Sequence, residues 1–574
     1  MIDGEIESEM LEKLVFLYGD DRGKRAYVEL VKMLKRFSKE FTPRILSERF
    51  SEKDVVLITY GDMIRDGPHP IRALTAFAKK YLKSKVNTIH LLPFFQYDSD
   101  RGFSITDYKE VDSRLGDWGD VAELKEEFKL MVDLVLNHVS DKHYWFQEFK
   151  KGNAQYGDYF IWFDESNMPS KEQLKKVFRP RLTPLLTRYE TVEGEKYVWT
   201  TFPCNQVDLN YRNEKVLLEV VDVMLFYVSK GVNILRLDAV PYLWKELGTS
   251  CLNLKQSHII VQILRDILNM VAPHVSILVE ANVPHKDNVE YLGDGRNEAH
   301  MVYNFPLPPL LIHAVYTGDA SHLLKWVEQL KNPSGETAFL NILDTHDGIG
   351  LLAVKGILSE MEMEEMVERS VENGGLVSYM KSPDGGESPY EMNMTWWCAL
   401  QSPHSSTRPD LEIQIKRYLA SRAIALALKG VPVVYLNGLL GALNDHEGVE
   451  KTGNNRDINR KNFNLKDLVK EIEDKNSRTH KVFYGYLNLI ENRISEKAFH
   501  PNGGQEVLFL NKSVFSLVRT SPDKRETVIA LHNLSNRRKT VNLEEGFYYD
   551  LISRKQCRKN VELGPYQVRW LKRK

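Results

Sequence analysis

Four short apolar runs in the sequence end in residues that can carry charge or move protons. The run DLVLNH supplies Asp133, Asn137 and His138, and NILRLDAV supplies Arg236 and Asp238. ILVEAN ends on Glu280, and FLNILDTHDGIG delivers His346 and Asp347 just beyond its end. An Asp after a strand is commonly no more than a helix N-cap. Three carboxylates and two histidines at corresponding strand ends are a different matter. Retaining glycosyl transfer calls for such a set: one ionised carboxylate as nucleophile, and a second carboxyl held protonated as acid and later base. By the period-2 rule Arg236 shares a strand face with Asp238 and is expected to hold it anionic. Glu280 needs the opposite tuning, an elevated pKa from burial or neighbouring carboxylates. Asp347 and His346 are suited to grip sugar hydroxyls and to stabilise positive charge at the anomeric carbon.

These runs belong to a longer series: Val55–Tyr60, Thr88–Leu92, Met131–Leu136, Asn233–Leu237, Ile277–Glu280, Met301–Phe305, Phe339–Leu343 and Val431–Leu436. Eight nearly continuous apolar runs alternating with helical stretches predict an α/β fold, a parallel (β/α)8 TIM barrel with both faces of the sheet covered. The barrel occupies residues 51–139, 212–346 and 410–497. Two gaps exceed an ordinary connection and are expected to be inserted subdomains: 140–211, which holds RPR at Arg179–Arg181, and 347–409, which holds PDGGESPYEMN and SSTRPD. Residues 1–50 show apolar positions at helical spacing (Leu11, Leu14, Val15, Tyr18, then Leu30, Met33, Leu34, Phe37) and predict a helical N-terminal extension. Residues 498–574 carry alternating runs (VLFL, SVFSLV, TVIALHNLS, KTVNL, FYYDLI, YQVRWL) and predict a C-terminal antiparallel β domain.

The chain of 574 residues has 77 basic and 79 acidic side chains and a formal charge of −2. No global field draws it to nucleic acid or an anionic membrane, so any anion specificity must be local. Four cysteines (Cys204, Cys251, Cys398, Cys557) lack CxxC spacing, which disfavours a zinc cluster or disulfide framework and suits a reducing compartment. The opening MIDGEIESEMLEK lacks signal-peptide order, so a cytoplasmic protein is expected. The most apolar stretch, Ala423–Leu443, is broken by Lys429, Pro432 and Asn437 and reads as helix end, turn and strand.

In order and spacing, DLVLNH, NILRLDAV, ILVEAN and LDTHDG resemble the four signature regions of the α-amylase family of glycoside hydrolases. The resemblance implies Asp238 as nucleophile, Glu280 as general acid/base and Asp347 as transition-state stabiliser. It also implies Arg236, His138 and His346 as partners in the glucose pocket. DSDRGFSITDY, FRPR, WTTFPCNQVDLNY, KELGTSC, LPPLLIHAV and GNNRDINRKNF are similar to segments of the sucrose phosphorylase branch. There Asp100 would bind the terminal hydroxyls, Phe103 and Phe202 would form apolar walls, and Gln206 would join the substrate-binding set. Arg456 would reach phosphate, with Arg179, Arg181 and Arg460 as further candidates, since a guanidinium pairs two phosphate oxygens at once.

Two positions depart from that branch. Asn282 stands where sucrose phosphorylases carry histidine, and Glu391 stands where they carry glutamine; both face the acceptor and phosphate subsite. The N-terminal extension, NVPHKDN, EAHMVYNF and SPYEMN most resemble the glucosylglycerate phosphorylases. The implied reaction is phosphorolysis of an α-glucoside, best 2-O-α-glucosylglycerate, to α-glucose 1-phosphate and free glycerate through a glucosyl-Asp238 intermediate. Sucrose, sucrose 6-phosphate and glucosylglycerol phosphorylases are the alternatives, followed by a hydrolase or transglucosidase. A scaffold that has lost catalysis is disfavoured by the presence of all three carboxylates. The expected ligands are a small sugar substrate and inorganic phosphate as co-substrate, with no cofactor. A hydrogen-bonding role for Asn137 is preferred to a calcium site, so no metal is expected. A homodimer stays open as the assembly.

Overall fold

The computed structural model describes residues 4–381, 386–401 and 410–573. The start of the chain (Met1–Asp3), part of PDGGESPYEMN (Pro383–Gly385) and most of SSTRPD (Ser405–Pro409) lie outside the described residues. All eight expected runs are strands: β1 (Val56–Thr59), β2 (Thr88–Leu91), β3 (Lys129–Val135), β4 (Ile234–Asp238), β5 (Ser276–Val279), β6 (Met301–Tyr303), β7 (Ala338–Asn341) and β8 (Val431–Tyr435). They form a closed parallel barrel in sequence order, with β1 pairing both β2 and β8. Nearly every strand residue is buried, because helices cover the outside while side chains fill the inside. Seven of the eight strands end one or two residues earlier than the apolar runs, and β4 ends one residue later, at Asp238. Glu280 therefore sits just past β5, and His346 and Asp347 sit several residues past β7.

The register matters for the chemistry. Across β3 and β4, Arg236 lies opposite Asp133 and Asp238 opposite Val135, which aligns the charged residues at one level of the barrel. The apolar stretch after Ala423 completes helix Leu411–Ala427, runs through β8 and ends in a short helical turn at Leu436–Leu439. Among the described residues, no helix is long and apolar enough to cross a membrane.

Two helices open the chain, α1 (Gly4–Tyr18) and α2 (Asp20–Glu40). Leu14 and Tyr18 are buried as the spacing predicts, but Met10 and Leu17 complete the seam of α1, while Leu11 and Val15 stay partly accessible. Gly23 of α2 meets α1 so closely that a Cβ there would lie 2.6 Å from the Val15 Cα, so only glycine fits. The pair packs on helices Glu214–Ser229 and Lys255–Val271. Lys13 pairs with Asp266 at 2.6 Å, and Arg22 with Glu214 at 2.9 Å.

The excursion between β3 and β4 holds a three-stranded sheet (Trp162–Phe163, Gly194–Trp199, Leu186–Thr191) and a short ladder between His138–Ser140 and Gln206–Asp208. That between β7 and β8 holds a second three-stranded sheet (Ile349–Gly350, Glu387–Asn393, Leu376–Lys381). It also holds a helix not evident in the sequence pattern, Glu360–Glu372, started by a Ser359/Glu362 capping box. The C-terminal sheet has six antiparallel strands, but not the six expected runs. KTVNL and FYYDLI belong to one long strand, Lys539–Asp550, with a register irregularity between Asn542 and Phe547. Gln556–Leu563 is a strand the reading overlooked, and most of VLFL falls beyond Gly504–Val507.

Candidate active site

At the C-terminal end of the barrel strands lies a cavity of about 530 Å³. It is lined by the three carboxylates Asp238, Glu280 and Asp347 and by ten further candidates from the sequence: Asp100, Phe103, His138, Phe202, Gln206, Arg236, Asn282, His346, Glu391 and Arg456.

The floor is built outward from β3 and β4. Asp133 is fully buried, with His90 Nε2 2.7 Å from its Oδ2 and Arg236 donating to its Oδ1. The same Nη1 of Arg236 donates to Asp238 Oδ1 at 2.7 Å, which leaves Oδ2 as the oxygen outside that bond. Burial pushes the Asp238 pKa up, and Arg236 and His138 pull it down. The net displacement is upward, so Arg236 offsets the burial of Asp238 rather than overcoming it. The next residue, Ala239, has a left-handed backbone (φ 54°) and donates its N–H to Glu280 Oε2 at 3.0 Å. Non-glycine residues rarely adopt such a conformation, and here it ties the two carboxylates together through one peptide. Glu280 is pushed up to about 7, chiefly by burial and further by Asp238 and Asp347, with Arg236 opposing. Asp347 goes the other way. The guanidinium of Arg456, whose Nη1 is 2.5 Å from Asp347 Oδ1, leads the cations that hold its carboxyl well below the usual range against burial.

The walls are neutral imidazoles and aromatic rings. His346 stacks on Phe103 at 5.0 Å, its Nε2 is 3.5 Å from Asp347 Oδ2, and burial drives its pKa well down. His138 donates from Nε2 to the Phe103 carbonyl at 3.2 Å and accepts at Nδ1 from Asn137, a network that assigns it one tautomer. Phe202 lies against His138 and Tyr242. Asp100 is presented by three successive positive-φ residues, Asp100, Arg101 and Gly102, and a Cβ on Gly102 would collide with the Pro93 carbonyl. Gln206 donates to Asp100 Oδ2 at 3.2 Å, and Arg460 approaches its Oδ1 at 3.6 Å.

The outer end draws Arg181, Tyr390 and Glu391 from the two excursions, Asn282 from the loop after β5 and Arg456 from the segment after β8. Asn282 donates to the Tyr390 hydroxyl at 3.1 Å, and its own buried Oδ1 has no partner. Arg456 donates from Nε and Nη2 to the two oxygens of Glu391, each at 2.9 Å. Arg181 stands over the rings of Phe202 and Tyr390, at 5.7 and 5.4 Å, with no carboxylate in ion-pair range among the described residues. Arg179 does not line this cavity, although it shares the loop with Arg181.

Two contributors, Tyr390 and Lys245, were not evident from the sequence, and a third was named there without its place. Arg460, only one of several phosphate candidates there, is fully buried and donates to the His346 carbonyl at 2.8 Å. Tyr390 lay unremarked inside SPYEMN. Lys245, inside KELGTSC, places its ammonium 2.7 Å from Asn137 Oδ1 and 2.8 Å from Asp208 Oδ2, and so gives Asn137 a hydrogen-bonding partner. A lysine in the loop after a strand is ordinary in sequence, so only its burial marks it out.

Known proteins align along this architecture. Residues 79–352 match the model of the α-amylase catalytic domain. The glucosylglycerate phosphorylase of Spirochaeta thermophila is 43% identical over 92% of this chain and 89% of its own length. That of Allomeiothermus silvanus is 41% identical over 99% of both chains. The crystal structure of sucrose 6F-phosphate phosphorylase from Thermoanaerobacter thermosaccharolyticum superposes with a TM-score of 0.74 at 27% identity, covering 90% of this chain and 99% of that one. With identities of this order sustained along nearly its whole length, the chain belongs to the α-amylase family, in the branch of the sucrose and glucosylglycerate phosphorylases.

Proposed function

We propose that the protein is a retaining glucoside phosphorylase that converts 2-O-α-glucosylglycerate and inorganic phosphate to α-glucose 1-phosphate and glycerate. The observation that carries this reading is an arginine without a carboxylate partner among the described residues, Arg181, at the mouth of a pocket otherwise rich in carboxylates. Hydrolysis needs only water there, whereas phosphorolysis must seat an anion against strong like-charge repulsion. The names of the relatives at 41–43% identity support the acceptor.

In the first displacement Asp238 Oδ2 attacks the anomeric carbon as the bond to the glycerate oxygen breaks. Glu280, whose pKa near 7 leaves a protonated fraction at neutral pH, passes its proton to that oxygen. Asp347 stays ionised and, with neutral His346 and His138, holds the sugar hydroxyls as positive charge develops. Arg236 stabilises the carboxylate before attack, and Asp100 with Gln206 closes on the far end of the glucose. In the second displacement a phosphate oxygen attacks the same carbon from the side glycerate has left and passes its proton to the now ionised Glu280, which restores the acid. The C1–Asp238 bond breaks, and two inversions give net retention. Phe202 and Tyr390, one from each excursion, narrow the mouth against water, which would otherwise hydrolyse the glucosyl-enzyme. These steps use the chain's own carboxylates, so phosphate is a co-substrate and no cofactor is invoked. The cysteine spacing supports a reducing, cytoplasmic location.

The test is reverse synthesis: α-glucose 1-phosphate with glycerate, fructose, fructose 6-phosphate or glycerol, following phosphate release. Glycerate should give the fastest release. Release with another acceptor alone overturns glycerate, and release with none overturns the phosphorylase.

A further inference from the structure

Three arginines line the pocket, and their pairing differs. Arg236 lies between Asp133 and Asp238. Arg456 is held by more than one contact. Its Nε and Nη2 form a two-pronged bond to Glu391, its Nη1 faces Asp347, and its backbone N–H is capped by Asn454 Oδ1. Glu391 is itself immobilised. It lies on strand Glu387–Asn393, is 2% exposed, and sits where a Cβ on Gly348 would come within 2.9 Å of its carboxyl carbon. Two carboxylates thus flank one guanidinium, and an anion reaching Arg456 would meet net negative charge. Among the described residues, Arg181 alone of the three has no acidic partner.

We propose that Glu391 acts as a lock on Arg456 rather than as a contact for the sugar, so that the pocket seats one anion at a time, at Arg181. This rests on the phosphorylase reading above, in which both the departing glycerate and the entering phosphate are anions. With a single seat they exclude each other, as a double displacement requires. A second seat beside Asp347 would let phosphate settle while the glucoside is still bound. The bidentate geometry makes the lock strong, because a guanidinium fork matched to a carboxylate does not easily exchange it for a phosphate.

Calorimetric titration of the intact protein with inorganic phosphate alone tests this without turnover. The wild type should bind one phosphate, displaced competitively by glycerate, and Arg181→Ala should weaken it about tenfold or more. Glu391→Gln should add a second phosphate or tighten binding about tenfold, and that gain should survive in Arg181→Ala/Glu391→Gln. The gain should vanish in Glu391→Gln/Arg456→Gln, which assigns it to Arg456. Glu391→Ala serves the same purpose if the glutamine variant fails to fold by circular dichroism. The lock is overturned if the folded Arg181→Ala/Glu391→Gln variant binds phosphate no better than Arg181→Ala. It is also overturned if Arg181→Ala binds as the wild type does. Reverse synthesis by the wild type reads the parent reaction separately: absence of phosphate release with glycerate overturns that reaction, whatever the titrations show.

Discussion

The two ends of the pocket are built on different terms. At the glucose end, charged groups are buried and paired before any sugar arrives: Asp133 with His90 and Arg236, Arg236 with Asp238, Gln206 with Asp100. All but Gln206, which stands on the short ladder of the first excursion, sit on barrel strands or on turns anchored to them, which fixes their positions tightly. At the acceptor end the groups come from the two long excursions and from the loops after β5 and β8, and among the described residues Arg181 has no carboxylate partner and the buried Oδ1 of Asn282 no hydrogen bond. The contrast separates chemistry from choice. The paired end is preorganised for one transition state, and the unpaired end is completed by whichever acceptor supplies the missing contacts.

Three experiments probe that division, beginning with the largest effect. Asp238→Asn should lower glucose 1-phosphate formation about 10⁴-fold or more while changing phosphate affinity, read by titration, less than about twofold. A parallel loss of phosphate affinity would join the two ends into one unit. Next, Glu280→Gln should cut the rate on glucosylglycerate by about 10²–10³-fold and abolish the fall of kcat/KM expected of the wild type as pH rises through about 7. The stability effect has a definite sign. The folded pKa lies above the unfolded one, so the wild type loses stability as pH rises from the ordinary glutamate range through about 7. Glu280→Gln should therefore melt higher than wild type at pH 8, with the gain shrinking toward pH 4 in calorimetric scans. Last, Lys13→Ala strands the nearly buried Asp266, far from either end. It should lower the melting temperature by about a few degrees and leave kcat/KM within about twofold. A larger kinetic loss would show that the N-terminal helices belong to the site.

Legibility in the sequence followed burial. The barrel strands are covered on both faces, so they read as unbroken apolar runs, and all eight could be placed. The edge strand Gln556–Leu563 is mostly exposed and reads QCRKNVEL, with too little hydrophobic signal to stand out. The strand Lys539–Asp550 looked like two because its irregularity carries EEG in the middle. In the site, residues at strand ends could be found because position and chemistry coincide there. Pairing across distance could not: Glu391 and Arg456 are 65 residues apart, and nothing local in SPYEMN or RDINR announces that they meet. Local sequence also hides positive-φ residues such as Ala239, because alanine carries no signature of that conformation.

The closing pair of the barrel sets the order in which the chain can fold. Val56 of β1 pairs with Val433 of β8, about 380 residues further along. At roughly 5–20 residues per second of synthesis, the edge of β1 waits on the order of 20–75 seconds for its second neighbour. An open edge of three apolar residues and a threonine is a template for wrong pairing throughout that interval. The N-terminal helices meet their partners, the helices at 214–229 and 255–271, long before closure. They therefore fasten the first half of the barrel while its last strand is still being made.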